Sequence, residues 1–236
     1  ARNMLSVVFH ASVVLFDIYT LWYDQKYVEL PLPEEFQELP LKARAIFLTF
    51  WCLVLQTIYF SIALLNDVIG TNAPAPKKAP LIRKIKDVLF SLAFPVALYV
   101  SSVFWSIYGI HKDLIFPDDI ERLFPQWINH AMHTLIVPFI MIELLFTRRN
   151  YPTRNVGITV ALIFNLMYVV WIHYLYFNKG AWAYPFLEVF NWPMRIIFCS
   201  FSTFMLLTVY TIGEKINYFV SPSTTAVYSN GVSKRH

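Results

Sequence analysis

The chain has 236 residues, of which 57% are hydrophobic, 18% aromatic and only 14% charged, with a formal net charge of +4. Soluble domains carry about 25% charged residues, so a mean hydropathy of +0.51 excludes a water-soluble globular domain. The modest positive charge marks no nucleic-acid-binding surface, and no nucleic-acid partner is expected.

The apolar residues gather into stretches of about 18–25 residues, the length that crosses a bilayer core. In chain order they cover 4–23, 45–69, 87–110, 127–146, 156–177 and 194–219. The expectation is an all-α integral membrane protein, with six transmembrane helices in one compact bundle. That single domain covers 1–236, and 220–236 is expected to be a flexible C-terminal tail. The first stretch lacks a small-residue cleavage site and is expected to serve as a signal anchor. The 24–44 and 111–126 loops are acidic, with Asp24, Glu29, Glu34, Glu35, Glu38, Asp113, Asp118, Asp119 and Glu121. The 70–86 loop is basic and proline-rich (Pro74, Pro76, Lys77, Lys78, Pro80) and reads as a mobile linker.

Twelve of the 19 basic residues fall on one side: Arg2, Lys77, Lys78, Arg83, Lys84, Lys86, Arg148, Arg149, Arg154, Lys215, Lys234 and Arg235. The positive-inside rule therefore places both termini in the cytosol. The expected location is the endoplasmic reticulum or the plasma membrane, as a multi-pass protein, with the oligomeric state left open. Trp22, Tyr23, Trp127, Tyr151, Trp182 and Tyr184 read as interfacial anchors. Cys52 and Cys199 both lie inside spans, with no disulfide or metal motif.

Ionisable groups inside a span are costly and mark functional candidates. Asp67, Asp87, Glu143 and Glu214 sit near segment ends, where water is expected to reach them. His10, Asp17, His130, His133 and His173 lie deeper. His130 and His133, three apart, share roughly one helical face. A His-x-x-His pair suits a metal, yet zinc wants three or four protein ligands, and no metal or cofactor is expected. Thr49 and His133 each lie about five or six residues into parallel spans, hence roughly 8–9 Å below the same membrane surface. A hydroxyl and an imidazole in one layer suit a nucleophile and its base. Most membrane threonines instead bond back to the carbonyl one turn earlier, the role expected of Thr57, Thr134, Thr159, Thr203, Thr208 and Thr211. The residues alone leave open a hydrolase, a small transporter or proton-coupled channel relaying through His130, His133, Asp17 and His173, and a structural protein.

The run Trp127-Ile128-Asn129-His130-Ala131-Met132-His133-Thr134 resembles a block of the family of the androgen-induced gene 1 and androgen-dependent TFPI-regulating proteins. Around it, Leu48-Thr49-Phe50, Gln56-Thr57, Ala93-Phe94-Pro95-Val96, Phe104-Trp105, Tyr151-Pro152, Gly157-Ile158-Thr159, Tyr184-Pro185 and Gly213-Glu214 fit the same pattern in order. Phe116-Pro117 departs from it, since the family usually shows Tyr-Pro there. The resemblance implies a transmembrane threonine hydrolase that cleaves fatty acid esters of hydroxy fatty acids, with Thr49 as nucleophile and His133 as its partner. On that reading Asn129 or His130 serves as an oxyanion donor or orients the histidine, and Asp17 or His173 supports His133 from behind. The expected partner is a branched lipid ester within the membrane lipid. Its chains would lie against Phe50, Trp51, Phe94, Phe104, Trp105, Met132 and Phe139, and its carboxylate near Lys42, Arg44, Lys112 or Arg195. No G-x-S-x-G elbow occurs, which excludes the soluble lipase arrangement.

Overall fold

A bilayer core has no water to satisfy backbone groups, so a long apolar segment must close its hydrogen bonds within itself as a helix. The computed structural model describes residues 4–73 and 79–220. Among them, six helices are long and apolar enough to cross a membrane. They are α1 (Met4–Tyr27), α2 (Leu48–Ile69), α3 (Leu81–His111), α4 (Gln126–Phe146), α5 (Arg154–Lys179) and α6 (Trp192–Val220). The centre of the 70–86 linker, the expected tail from 221 onward, and the basic residues Arg2, Lys77, Lys78, Lys234 and Arg235 lie outside the described residues.

α3 is the central post, continuous through Pro95 and packed against α2, α4, α5 and α6. Its buried face (Phe90, Ala93, Phe94, Ala97, Val100) meets Tyr59, Phe60 and Ala63 of α2, Ile136, Ile140 and Leu144 of α4 and Leu206 of α6. The outward faces of α5 and α6 carry exposed Leu166, Val170, Ile197, Phe201 and Phe204, as a lipid-facing surface requires. Two glycines let helices close in. A Cβ on Gly213 would fall 2.6 Å from the ring of buried Phe94, and one on Gly157 would meet the Tyr210 side chain. Gly213→Val is therefore expected to destabilise the bundle by about 1–3 kcal/mol through overpacking. Thermal unfolding in detergent checks this; an unchanged midpoint would contradict the close approach of α6 to α3.

The four carboxylates expected to meet water do not. Asp67, Asp87 and Glu214 are buried, and Glu143 has 0% exposure. The helices run past the apolar limits of the sequence, and cations from the connecting segments fold back over these acids. His10 of α1 bridges Asp67 of α2 at 2.7 Å and Glu143 of α4 at 2.8 Å. Tyr59 donates to Glu143 at 2.5 Å. Arg149 lies over the Phe90 ring at 3.7 Å, faces the Glu143 carboxylate at 3.5 Å and donates to the Glu143 carbonyl. Lys86 donates to Asn72 at 2.7 Å, and Asn72 in turn donates to Asp67 at 2.6 Å. Arg83 pairs with Asp87 at 2.9 Å and reaches the Arg148 carbonyl at 2.6 Å. Glu214 pairs with Arg154 at 2.6 Å. Arg83, Lys86 and Arg149, read from sequence as loop charges, are thus internal members of an ionic network that ties α1 to α4 together at one end of the bundle.

Candidate functional site

The opposite end is built differently. After α1 the chain turns through Leu41, Lys42 and Ala43, which hold φ of +56°, +49° and +59°. The left-handed region is unfavourable by about 1–2 kcal/mol for each residue with a side chain, so this turn needs external ties. Arg44, 3% exposed, supplies them: it pairs with Asp24 at 2.9 Å and donates to the carbonyls of Lys42 at 3.2 Å and Val28 at 3.0 Å. Lys42 is held by Glu29 at 2.5 Å. The turn delivers the chain to the start of α2 without a Ser, Thr or Asp cap. Two phenols replace it, since the Leu48 N–H donates to the hydroxyls of Tyr168 at 3.0 Å and Tyr184 at 2.9 Å. Tyr168 itself donates to the Ile46 carbonyl at 2.9 Å.

Thr49 is the second residue of α2. The carbonyl one turn before it, that of Ala45, is taken by the indole N–H groups of Trp51 and Trp171, both at 2.8 Å. Thr57, Thr203, Thr208 and Thr211 bond back to the preceding turn as expected. Thr49 instead meets His133, with its Oγ1 3.2 Å from Nε2.

His133 lies where α4 widens into a π turn over Ala131–Leu135. Such turns recur at functional sites because they re-aim side chains without ending the helix. Pro138, which has no N–H to give to the preceding turn, follows, and the Trp105 indole donates to the His133 carbonyl at 3.2 Å. The imidazole stacks on Phe104 with ring centres 3.5 Å apart and 12° between planes. Its Nδ1 lies 2.9 Å from the Asn129 carbonyl oxygen and 2.7 Å from the Asn129 side-chain oxygen. A carbonyl oxygen only accepts, so Nδ1 carries the proton. A neutral ring then presents its Nε2 lone pair to the Thr49 hydroxyl. Asn129 thus holds the ring with Nε2 turned toward Thr49.

The other sequence candidates lie elsewhere. His130 is exposed, bonds Thr134 at 3.0 Å and stacks on Trp105, so the π turn separates it from His133. Thr134 accordingly meets His130 rather than a backbone carbonyl. Both nitrogens of His133 are engaged by Asn129 and Thr49, which leaves none for Asp17 or His173. His173 donates to the Val169 carbonyl at 2.7 Å and packs against Trp182 and Trp192. Asp17 is 2% exposed, with one carboxylate oxygen unpartnered among the described residues. The relay through His130, His133, Asp17 and His173 is therefore not assembled. No cluster of three or more metal-ligating side chains is present among the described residues.

Thr49 stands where two chambers meet. One is lined by Arg44, Phe50, Phe104, Phe116, Met132 and His133 among others, and is roofed by the segments after α1 and α3. The second runs between helices along Tyr99, Val103, Tyr168, Ile172, Phe186 and Phe198. Thr49, Phe104, Ile115 and Tyr184 belong to both. Of the expected apolar lining, Phe50, Phe104 and Met132 face a chamber, whereas Trp51, Phe94, Trp105 and Phe139 line neither. Of the expected cations only Arg44 does. Lys112 is paired with Asp118 and Glu121, and Arg195 lies against Trp182 and donates to the Leu187 carbonyl.

Residues 5–218 match the family described as FAR-17a/AIG1-like protein. The chain belongs to that family. The human androgen-induced gene 1 protein is 35% identical to this FAR-17a/AIG1-like chain over 181 residues, 74% of this chain and 76% of the relative. The mouse androgen-dependent TFPI-regulating protein is 34% identical over 187 residues, 79% of this chain and 81% of the relative. A membrane protein of Schizosaccharomyces pombe is 22% identical over 171 residues. No solved structure matches this FAR-17a/AIG1-like protein. Sequence reasoning leaves Tyr168 and the Arg44–Asp24 tie unread, and it marks Tyr184, inside the Tyr184-Pro185 pair, only as an interfacial anchor.

Proposed function

We propose that this protein is an intramembrane threonine hydrolase that cleaves fatty acid esters of hydroxy fatty acids. The observation that carries the reading is the continuous line from Asn129 through His133 to Thr49, set at the meeting point of two apolar chambers. Thr49 Oγ attacks the ester carbonyl carbon while its proton passes to His133 Nε2, and the carbonyl π pair moves onto oxygen. When that pair returns, the ester C–O bond breaks. The proton on Nε2 goes to the departing alkoxide, which leaves as the hydroxy fatty acid. Water then repeats the sequence on the acyl-threonine, giving the fatty acid and restoring Thr49. The Asn129 oxygens stabilise the imidazolium that forms at each attack.

A branched ester has two hydrocarbon arms, and the two chambers offer one place for each. The acyl chain takes the helix-lined chamber, whose lining carries no charged side chain. The hydroxy acid arm takes the chamber containing Arg44, with its own carboxylate directed outward past the roofing segments to the membrane surface. Arg44 is engaged by Asp24 and two carbonyls, so it shapes that chamber rather than binding the carboxylate. Both termini then face the cytosol, and the site opens near the lumenal or external surface of the endoplasmic reticulum or plasma membrane.

An alkyl fluorophosphonate tests the chemistry directly. Incubated with purified protein and mapped by mass spectrometry, it is expected to modify Thr49 alone and to leave His133→Ala unmodified. An adduct at another residue, or none in folded protein, would overturn the assignment.

A further inference from the structure

Attack on an ester leaves a full negative charge on the former carbonyl oxygen, and a site that forms this species quickly needs a donor aimed at it. Neither sequence candidate lies beside Thr49. Asn129 sits at Nδ1 of His133, across the imidazole from Thr49 at Nε2, and His130 is exposed on the outer side of the π turn.

The unexplained group beside Thr49 is a phenol. Tyr184 lines both chambers, as Thr49 does. It already accepts from the Leu48 N–H at 2.9 Å, and the Tyr168 oxygen lies 3.3 Å away. Tyr168 shares its proton between the Ile46 carbonyl at 2.9 Å and the Tyr184 oxygen, so Tyr184 accepts from both Tyr168 and Leu48 and keeps its own proton to give. The ring is fixed by stacking on Phe186, with ring centres 5.3 Å apart, and by contact with Phe47 at 5.6 Å. Burial raises its pKa above the ordinary phenol value, which keeps it a neutral O–H donor.

We infer that Tyr184 is a catalytic residue of this site, donating its phenol proton in a hydrogen bond to the ester carbonyl oxygen as that oxygen becomes an oxyanion. The inference rests on the hydrolase reading above and adds to it the group that stabilises the intermediate. The two phenols of the helix cap thus divide their work. Tyr168 holds the backbone at Ile46 and Leu48, and Tyr184 faces the substrate.

The test compares Tyr184→Phe with Tyr168→Phe on a fatty acid ester of a hydroxy fatty acid. In either variant the Leu48 N–H keeps one phenol oxygen as partner, so the helix start survives. Tyr184→Phe is expected to lower kcat by about 100-fold to 1,000-fold, the usual effect of removing one oxyanion donor, with KM nearly unchanged. Tyr168→Phe is expected to lower kcat far less. Replacing Tyr184 with 3-fluorotyrosine keeps the ring and its contacts, and kcat should then follow the acidity of the phenol. An equal fall in both phenylalanine variants would assign the effect to the helix start and overturn the proposal. So would a kcat for Tyr184→Phe close to that of the unaltered protein. Failure of the hydrolase reading looks different: the unaltered protein would itself neither hydrolyse the ester nor take up the fluorophosphonate.

Discussion

Thr49→Ala is expected to abolish ester hydrolysis in a protein that still folds. Among the described residues the Thr49 hydroxyl is not bonded back along its helix and meets His133 instead. Its loss leaves the His133 Nε2 lone pair facing an apolar chamber, a penalty of about 1–3 kcal/mol for an unpaired buried acceptor. The chemical effect is far larger, because nucleophile and base act as one unit whose disruption lowers rates on the order of 10⁴-fold or more. His133→Ala should be equally inactive, and combining the two changes should add little. Thr49→Ser keeps the oxygen and should retain measurable turnover. Hydrolysis assays on monodisperse protein, alongside thermal unfolding, separate activity from folding. Full activity in Thr49→Ala, or additive losses in the double variant, would remove Thr49 from the mechanism.

The second large effect lies at the other end of the bundle. Glu143 has 0% exposure and is bound by His10 and Tyr59, with Arg149 against it. Removing one partner of a buried ionic cluster leaves the others desolvated and uncompensated, at about 3–5 kcal/mol. Glu143→Ala is accordingly expected to unfold at a much lower temperature than the unaltered protein in the same detergent. Its hydrolytic rate per folded molecule should hold, since the Thr49 site is at the opposite membrane surface. A midpoint within a degree or two of the unaltered protein would show that α1, α2 and α4 are not joined through this carboxylate.

The sequence shows the fold's outline because run length in a bilayer is nearly a structural measurement: a segment of twenty apolar residues has few options besides a spanning helix. It does not show what lies beyond the apolar limits. Arg83 and Lys86 look like loop charges and Asp87 like a solvated segment end, yet all three lie buried on α3, tied to Arg148, Asn72 and Asn150 from segments remote in sequence. The pairing of Thr49 with His133 is legible as matched depth, although the counts differ once α2 begins at Leu48 and α4 at Gln126. The separation of His130 from His133 is not legible, since regular helical spacing hides a π turn. Tyr184 is hidden for another reason. An aromatic residue at a membrane surface is ordinary, and only tertiary packing decides whether its hydroxyl faces water or a reacting ester.

Thr49 stands at a fork, not at the bottom of a single cleft, and a fork imposes an order of events. In the mechanism proposed above, the acyl chain remains tethered in its arm by the covalent bond after the first half-reaction, while the hydroxy acid is free to leave through the other. The hydrolytic water must then arrive by the passage just vacated, because the tethered chain fills the alternative. On that mechanism product departure is sequential, with the hydroxy acid first and the fatty acid last. A lingering first product would block the arrival of water as effectively as a missing base.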